Sequence, residues 1–517
     1  MALLTEQKKI LQPVNKAISA YSVRFVQRYQ KKFYSTFEQA LLSLLALISF
    51  LNQSITLPCL LTSVTQSYGD SSTGPESKVT REYNACGQLV NETTSLNGTN
   101  IASWQQEWDG AGRRVGLNWK LEKQGPEYQF AYNAAGLMTS SGNESGTCSY
   151  GYADNGLLTS RETPFGTTRI TRDARGNIRG QTLPNGAQES LIRRRDGRIS
   201  SYSIVDDTEA LISETRNYQY DSAGRVIEEP FTLRNSLNPN ALNNGTHEVK
   251  YTFDELNIRT SSCISPTGTS LGGSTGDAVR EKNGFGQVTL DIIYSSDWYY
   301  YPWNYTYDNL GAVASRGIDG NRTETNSWDS FGRLVKVIGN SDEGSYTWRA
   351  IYDGLGRRIQ TTIEGATRGT TTYYYDPEVE FLELGHDNNG RTWNLYGPDR
   401  SGTYGGAQGI GGLEATYTLV SGTSAGVVNN YFGDALGTIT GGHFTAYDSL
   451  LGSYGAMPGS SINQNLTPQW RDHYLDPTGF YYMGARYYEP NSGRFLSPDP
   501  LGHDASLSLY DYCNGDP

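Results

Sequence analysis

The side chains best suited to chemistry are few and scattered along this 517-residue chain. The five histidines, His247, His386, His443, His473 and His503, form neither an H-E-x-x-H nor an H-x-H arrangement. That spacing argues against a shared metal ion or an activated nucleophile. The five cysteines, Cys59, Cys86, Cys148, Cys263 and Cys513, are odd in number and widely spread, with no C-x-x-C. A disulfide framework and a zinc site are both disfavoured. The glycine-rich stretch GTYGGAQGIGG at 402–412 lacks the strand–helix context and the G-K-[ST] of a phosphate loop. No cofactor is expected. What recurs is Asp or Asn placed three residues before Gly, and its chemistry is that of turns.

The recurring unit is an aromatic residue, Asp or Asn, two variable residues, Gly, often Arg, then an aliphatic. It reads YNACGQLV at 83–90, WDGAGRRV at 108–115, YNAAGLM at 132–138 and YADNGLL at 152–158. It returns as YDSAGRVI at 220–227, FDELNIRT at 253–260, YDNLGAV at 307–313, WDSFGRLV at 328–335 and YDGLGRRI at 352–359. Weaker copies are RDARGNI at 172–178, RRDGRI at 194–199 and KNGFGQV at 282–288. Asp or Asn accepts backbone N–H groups just ahead of it and nucleates a turn. Gly takes the φ > 0 position that a β-carbon would penalise. Arg is placed to lie over the leading ring or to reach the Asp. The stretch 352–376 reads as turn, strand RRIQTTI, turn EGATRG and strand TTTYYYD. Each repeat is therefore a β-hairpin, which must stack on its neighbours to bury a face.

Composition agrees. With 59 Gly, 37 Tyr and 12% aromatics, the chain is too rich in buriable surface to be disordered and too turn-rich for a coiled coil. Net charge is -12, yet residues 1–38 hold five lysines, Arg24 and Arg28 against Glu6 and Glu38. The body is thus strongly acidic and repels phosphate backbones, so no nucleic-acid partner is expected.

The repeats resemble the YD repeats of RHS proteins. YLDPTGFYYMGARYYEPNSGRFLSPDPLG at 474–502 is similar to the RHS-associated core, matching it at Gly479, Tyr481, Tyr482, Arg486, Tyr487, Tyr488, Pro490, Gly493, Arg494, Phe495, Ser497, Asp499, Pro500 and Gly502. Phe480 stands where Leu is usual. WNLYGPDRSGTYGGAQGIGGL at 393–413 and DALGTI at 434–439 resemble segments found just upstream of that core. The likeness runs over about residues 75–517. It implies an all-β fold, a YD-repeat hairpin spiral forming a partial hollow shell, with a short helical segment at the N-terminus. The implied division is a basic leader over 1–64, a repeat shell over 65–446 and a truncated core domain over 447–517.

In toxin-bearing RHS proteins the core plugs the shell and cuts itself, releasing a C-terminal toxin inside. The resemblance assigns that cut to a D-P-x-G motif and a second copy further on. Two carboxylates sharing a proton suit the task, one activating water while the other protonates the leaving amide. Asp499 is the first such Asp. The family's interval carries the second past Pro517, so the expectation is an incomplete motif, no cleavage and no toxin domain. Asp476, in the other Asp-Pro-x-Gly segment, reads as a turn residue. The expected function is a structural shell of a bacterial, secreted or cell-surface toxin or cell-contact protein, enclosing a toxin or effector polypeptide. The alternative is a cell-surface carbohydrate-binding adhesion protein, its sugars stacked on aromatics such as those of DWYYYPWNY at 297–305.

One apolar run, ALLSLLALISFL at 40–51, follows the basic segment. It is shorter than the ~20 residues of a membrane span and suits the hydrophobic part of an export signal. An amphipathic helix against the shell, or a start codon placed too early, are the other readings. Any membrane contact would run through residues 40–61, if they are retained.

Overall fold

The repeats close their hairpins in one way. In the computed structural model, Asp353 N–H donates to the Arg357 carbonyl (2.9 Å) and Gly356 N–H to the Asp353 carbonyl (3.0 Å). That is a type I turn followed by a left-handed residue, and Gly356 supplies it at φ +86°. Asp353 Oδ1 accepts the N–H groups of Leu355 (2.9 Å) and Arg357 (3.0 Å). The same bonds recur at Asn84, Asp109, Asn133, Asp173, Asn283, Asp308 and Asp329. They recur too at Asn430, which the repeat pattern missed because Asn429 stands where an aromatic usually leads. The incoming strand bulges at the leading residue, as between Ile351 and Tyr352, so each hairpin gains twist at its turn.

The structure describes residues 60–513, apart from 68–74, 122–124, 206–211, 236–244, 254–258, 268–279, 295–299, 319–321, 342–343, 366–367, 408, 448–450, 457–469, 491 and 505–507. The expected N-terminal helix and the apolar run at 40–51 lie outside these residues, as does the centre of the FDELNIRT copy. The fold is all-β: among the described residues are thirty-nine strands and one 3₁₀ turn, Gly502–Asp504. Strands from Ser63–Ser67 to Arg259–Thr267 form a first sheet of 19 strands, and strands from Arg280–Lys282 to His443–Ala446 a second of 15. Strand pairing is antiparallel throughout, as hairpin connections dictate, and neither sheet closes on itself. Beyond Ala446 a two-stranded and a three-stranded piece follow among the described residues.

Successive repeats are tied by the tip of the leading ring. Tyr132 Oη donates to the Arg114 carbonyl (3.0 Å), Tyr152 to Met138 (2.7 Å), Tyr307 to Val288 (2.8 Å) and Tyr375 to Arg358 (3.0 Å). Trp108 and Trp328 do the same with Nε1, to Leu89 and Val313 (both 2.8 Å). Asn429 does it with its amide, to Leu413 (2.8 Å). In most copies the acceptor is the second residue after the preceding repeat's Gly. The repeat arginine spans the same gap, with a physical difference from the expectation. Arg113 and Arg333 each pair with their own Asp but lie over the ring of the next repeat, Tyr132 at 5.1 Å and Tyr352 at 4.6 Å. The next hairpin brings its own ring alongside the arginine of the one before it.

The two sheets bury their inner faces on each other. Trp104 and Trp119 of the first meet Tyr374 and Trp393 of the second, with centroids 5.0–5.8 Å apart. Edge-to-face rings of this kind contribute roughly 0.5–1.5 kcal/mol per pair beyond area burial. Where these walls meet, the interior is filled by side chains.

Candidate functional site

The C-terminal segment carries buried polar groups that reach the second sheet. Its short strands, Tyr481–Tyr482, Tyr487–Glu489 and Arg494–Phe495, alternate so that Phe480, Tyr482, Tyr487 and Leu496 join a cluster with Trp303, Tyr305, Trp348, Tyr352 and Tyr373 of the second sheet. The segment therefore caps the inner face of that sheet.

Two buried arginines fasten it. Arg358 Nη1 lies 2.5 Å from Asp476 Oδ2 and donates to the Tyr487 hydroxyl at 2.9 Å. Its guanidinium is sandwiched by Tyr373 at 4.3 Å and Tyr482 at 4.4 Å. Arg316 binds Glu324 of the neighbouring strand (2.5 Å) and Glu489 of the C-terminal segment, and stacks on Phe480 at 4.1 Å. Glu489 also accepts from the hydroxyls of Tyr305 (3.1 Å) and Ser492 (2.6 Å). Burial pushes the Asp476 carboxyl up, and the Arg358 charge opposes it. Sequence reasoning placed neither arginine at a site, because their partners lie 118 and 173 residues away.

Asp476 opens a turn of the repeat type: its N–H donates to Phe480 (2.9 Å) and Gly479 N–H to its carbonyl (2.8 Å). Asp499 opens a turn as well, receiving Gly502 N–H on its carbonyl (2.9 Å) and Leu501 N–H on Oδ1 (2.9 Å), but its own N–H donates to the distant Leu509 carbonyl (2.8 Å). Its Oδ2 pairs with Arg486 Nη2 at 2.8 Å, and Arg486 lies over Phe495 at 3.6 Å. The two aspartates are thus held by different arginines, and no hydrogen bond joins them among the described residues.

Beside Arg358 is a small polar cavity of about 40 Å³, lined by Glu383, Asp472, His473, Tyr474 and Tyr482 among others. Burial drives the Asp472 carboxyl well up, although Oδ2 accepts the Gly411 N–H at 2.6 Å. Burial, then the Arg471 charge, pushes His473 down to about 4 and keeps it neutral. The space suits water rather than a substrate. A wider groove of about 550 Å³ runs past Arg81, Trp108, Arg357 and Glu378. Its arginines are already paired, Arg81 with Glu92 (2.7 Å) and Arg357 with Glu92 and Asp353 (2.9 and 2.8 Å). Of the aromatic stretch read as a sugar platform, Trp303 and Tyr305 are buried, and 297–299 lie outside the described residues. No group of three metal-ligating side chains occurs among the described residues.

No family model matches the chain. The double-stranded DNA deaminase toxin A of Burkholderia cenocepacia (strain H111) is 24% identical over 327 residues, covering 57% of this chain and 21% of that protein. The tRNA3(Ser)-specific nuclease WapA of Bacillus spizizenii is 28% identical over 207 residues, 38% of this chain and 8% of that one. Toxin subunit YenC2 of Yersinia entomophaga is 50% identical over 42 residues, 8% of this chain and 4% of the subunit. The crystal structure of TcdB2-TccC3-Cdc42 aligns over 86% of this chain and 30% of that one, at 14% identity and a TM-score of 0.34. This chain is similar to toxin-related proteins, and the matches span about a fifth of the deaminase toxin and less of the other two.

Proposed function

We propose that this chain is the YD-repeat shell of an RHS-type bacterial toxin, exported or held at the cell surface, whose wall surrounds an effector polypeptide. The observation that carries this reading is the fastening of the C-terminal segment to the inner face by Arg358–Asp476 and Arg316–Glu489. A segment so anchored is fixed against the wall, and a polypeptide attached to it would be delivered to the enclosed side. The resemblance to toxin-related proteins supports the same reading. In it, residues 447–517 serve as the cap, Asp499 is a turn residue, and the chain has no enzymatic activity of its own.

A reporter polypeptide fused after Pro517 tests this. It should resist a protease that digests the free reporter within minutes, and lose that resistance in Arg358→Met. Digestion of the fused reporter at the free rate would exclude an enclosing shell.

A further inference from the structure

A cavity of about 380 Å³ opens between the RRRDGR turn at 193–198, Arg216 to Tyr220, the 430–434 turn and Trp470–Arg471. Five arginines line it: Arg193, Arg198, Arg216, Arg400 and Arg471. Two are matched by acids, Arg216 by Glu229 and Arg198 by Asp196 at 3.3 Å. The other three differ from the buried arginines described above. Arg471 is 7% exposed, lies over Trp470 (5.4 Å) and Tyr512 (5.8 Å), and its Nε has no hydrogen-bond partner. Arg193 Nε is also unpartnered, while its Nη atoms donate to the Gly197 carbonyl (3.0 Å) and the Tyr431 hydroxyl (2.8 Å). Arg400 is exposed and stacks on Tyr431 at 5.0 Å.

The acid in the lining is Asp434. Its carboxylate accepts the Asn430 amide (3.3 Å) and the Arg471 main-chain N–H (3.1 Å), and burial pushes its pKa up against the opposing charges of Arg471 and Arg216. Within the lining, three guanidinium groups therefore face one carboxylate. Elsewhere a buried guanidinium meets carboxylate: Arg114 with Asp376, Arg357 with Asp353 and Glu92, Arg358 with Asp476. Arg471 is the desolvated one of the three, and a buried cation short of counter-charge is costly, so the imbalance marks where a ligand's charge belongs. Planar forks in this number suit the oxygens of a phosphate better than a lone carboxylate. Tyr220, Phe432 and Trp470 supply an apolar wall beside the charge, the mixed lining typical of a small-molecule site.

We propose that this cavity binds a small phosphate monoester, its dianion on Arg193, Arg400 and Arg471 and its organic part against the aromatic wall. The proposal is independent of the shell reading above.

Calorimetric titration of the full chain with inorganic phosphate and with phenyl phosphate, at fixed ionic strength in chloride, tests it. Both should bind saturably, phenyl phosphate at least severalfold tighter. Arg193→Gln should weaken both more than tenfold. Arg400→Gln, at an exposed side chain, keeps the fold intact and should weaken both severalfold. Binding that is absent, that tracks ionic strength alone, or that is unchanged in both variants overturns the site. Phenyl phosphate binding no tighter than phosphate would overturn the monoester.

Discussion

The Tyr352 hydroxyl donates to the Leu334 carbonyl at 2.7 Å, joining the ring that opens one repeat to the strand of the repeat before it. Both groups are buried, Tyr352 at 1% and Leu334 at 0% exposure. Removing the hydroxyl leaves a buried carbonyl unmet, which costs about 1–3 kcal/mol. Tyr352→Phe should lower stability by that amount in denaturant titration. Tyr83, whose hydroxyl reaches the Leu61 carbonyl (2.9 Å) at an exposed site, is the control, and Tyr83→Phe should cost less than about 0.5 kcal/mol. Equal effects would mean the ladder contributes nothing beyond burial of its rings.

Gly356 tests the turn itself. A β-carbon built there meets no atom within 4 Å, so its whole cost is the strain of φ +86°. Gly356→Val should destabilise by roughly 1–3 kcal/mol. At Gly224 a β-carbon would also press on the Arg198 guanidinium, so Gly224→Val should cost at least as much. An unchanged melting transition in both variants would contradict the left-handed turn.

Asp476 carries the attachment of the C-terminal segment. Asp476→Asn leaves Arg358 buried without its anion, and breaking one side of such a pair costs about 3–5 kcal/mol. The loss should appear first as proteolysis within residues 470–513, before the sheets unfold. Replacing both partners, Arg358→Met with Asp476→Leu, should recover most of the stability, since apolar side chains of similar size need no counter-charge. A double variant as weak as the single one would show that the pair is more than charge compensation.

The fold was legible because the turn is local. Asp353 and Gly356 meet within four residues, and the Tyr-Asp-x-x-Gly spacing records that meeting directly. The leading position is Tyr or Trp in most copies, residues with a polar tip, which signals a hydrogen bond without naming its acceptor. The site was less legible because Arg358 and Asp476 are far apart in sequence and each looks like a repeat residue where it stands. Only stacking of the hairpins decides which distant carboxylate faces which guanidinium. The turn at Asn430 went unnoticed for a local reason: Asn429 performs with its amide what Tyr performs elsewhere with its hydroxyl.

Glu414 gives the chain a pH dependence. Burial, partly offset by Arg161 at 3.8 Å, raises its carboxyl to about 7. An unfolded glutamate releases its proton near 4.5, so between 4.5 and 7 the folded state holds the extra proton. Stability from this group is therefore intact below pH 4.5, falls as pH rises to 7, and stays lower above it. The span corresponds to a loss on the order of 3 kcal/mol. Glu414→Gln removes the titration, so the stability of the variant relative to the parent should rise steadily from pH 4.5 to 7. A difference that is flat across that window would place the carboxyl in a more solvated setting.

Asp499 is expected to do no cutting. Amide hydrolysis by carboxylates needs one group to activate water and another to donate a proton. Asp499 has both oxygens committed, Oδ1 to the Leu501 N–H at 2.9 Å and Oδ2 to Arg486 at 2.8 Å. Asp476, the other Asp-Pro-x-Gly aspartate, is occupied by Arg358. Purified chain should accordingly keep one intact mass for days between pH 5 and 8. Asp499→Asn should cost about 1 kcal/mol through the weakened ion pair and change no mass. Time-dependent cleavage that vanishes in Asp499→Asn and also in Asp476→Asn would make the two a working dyad, whereas cleavage indifferent to both would come from a contaminating protease at exposed turns.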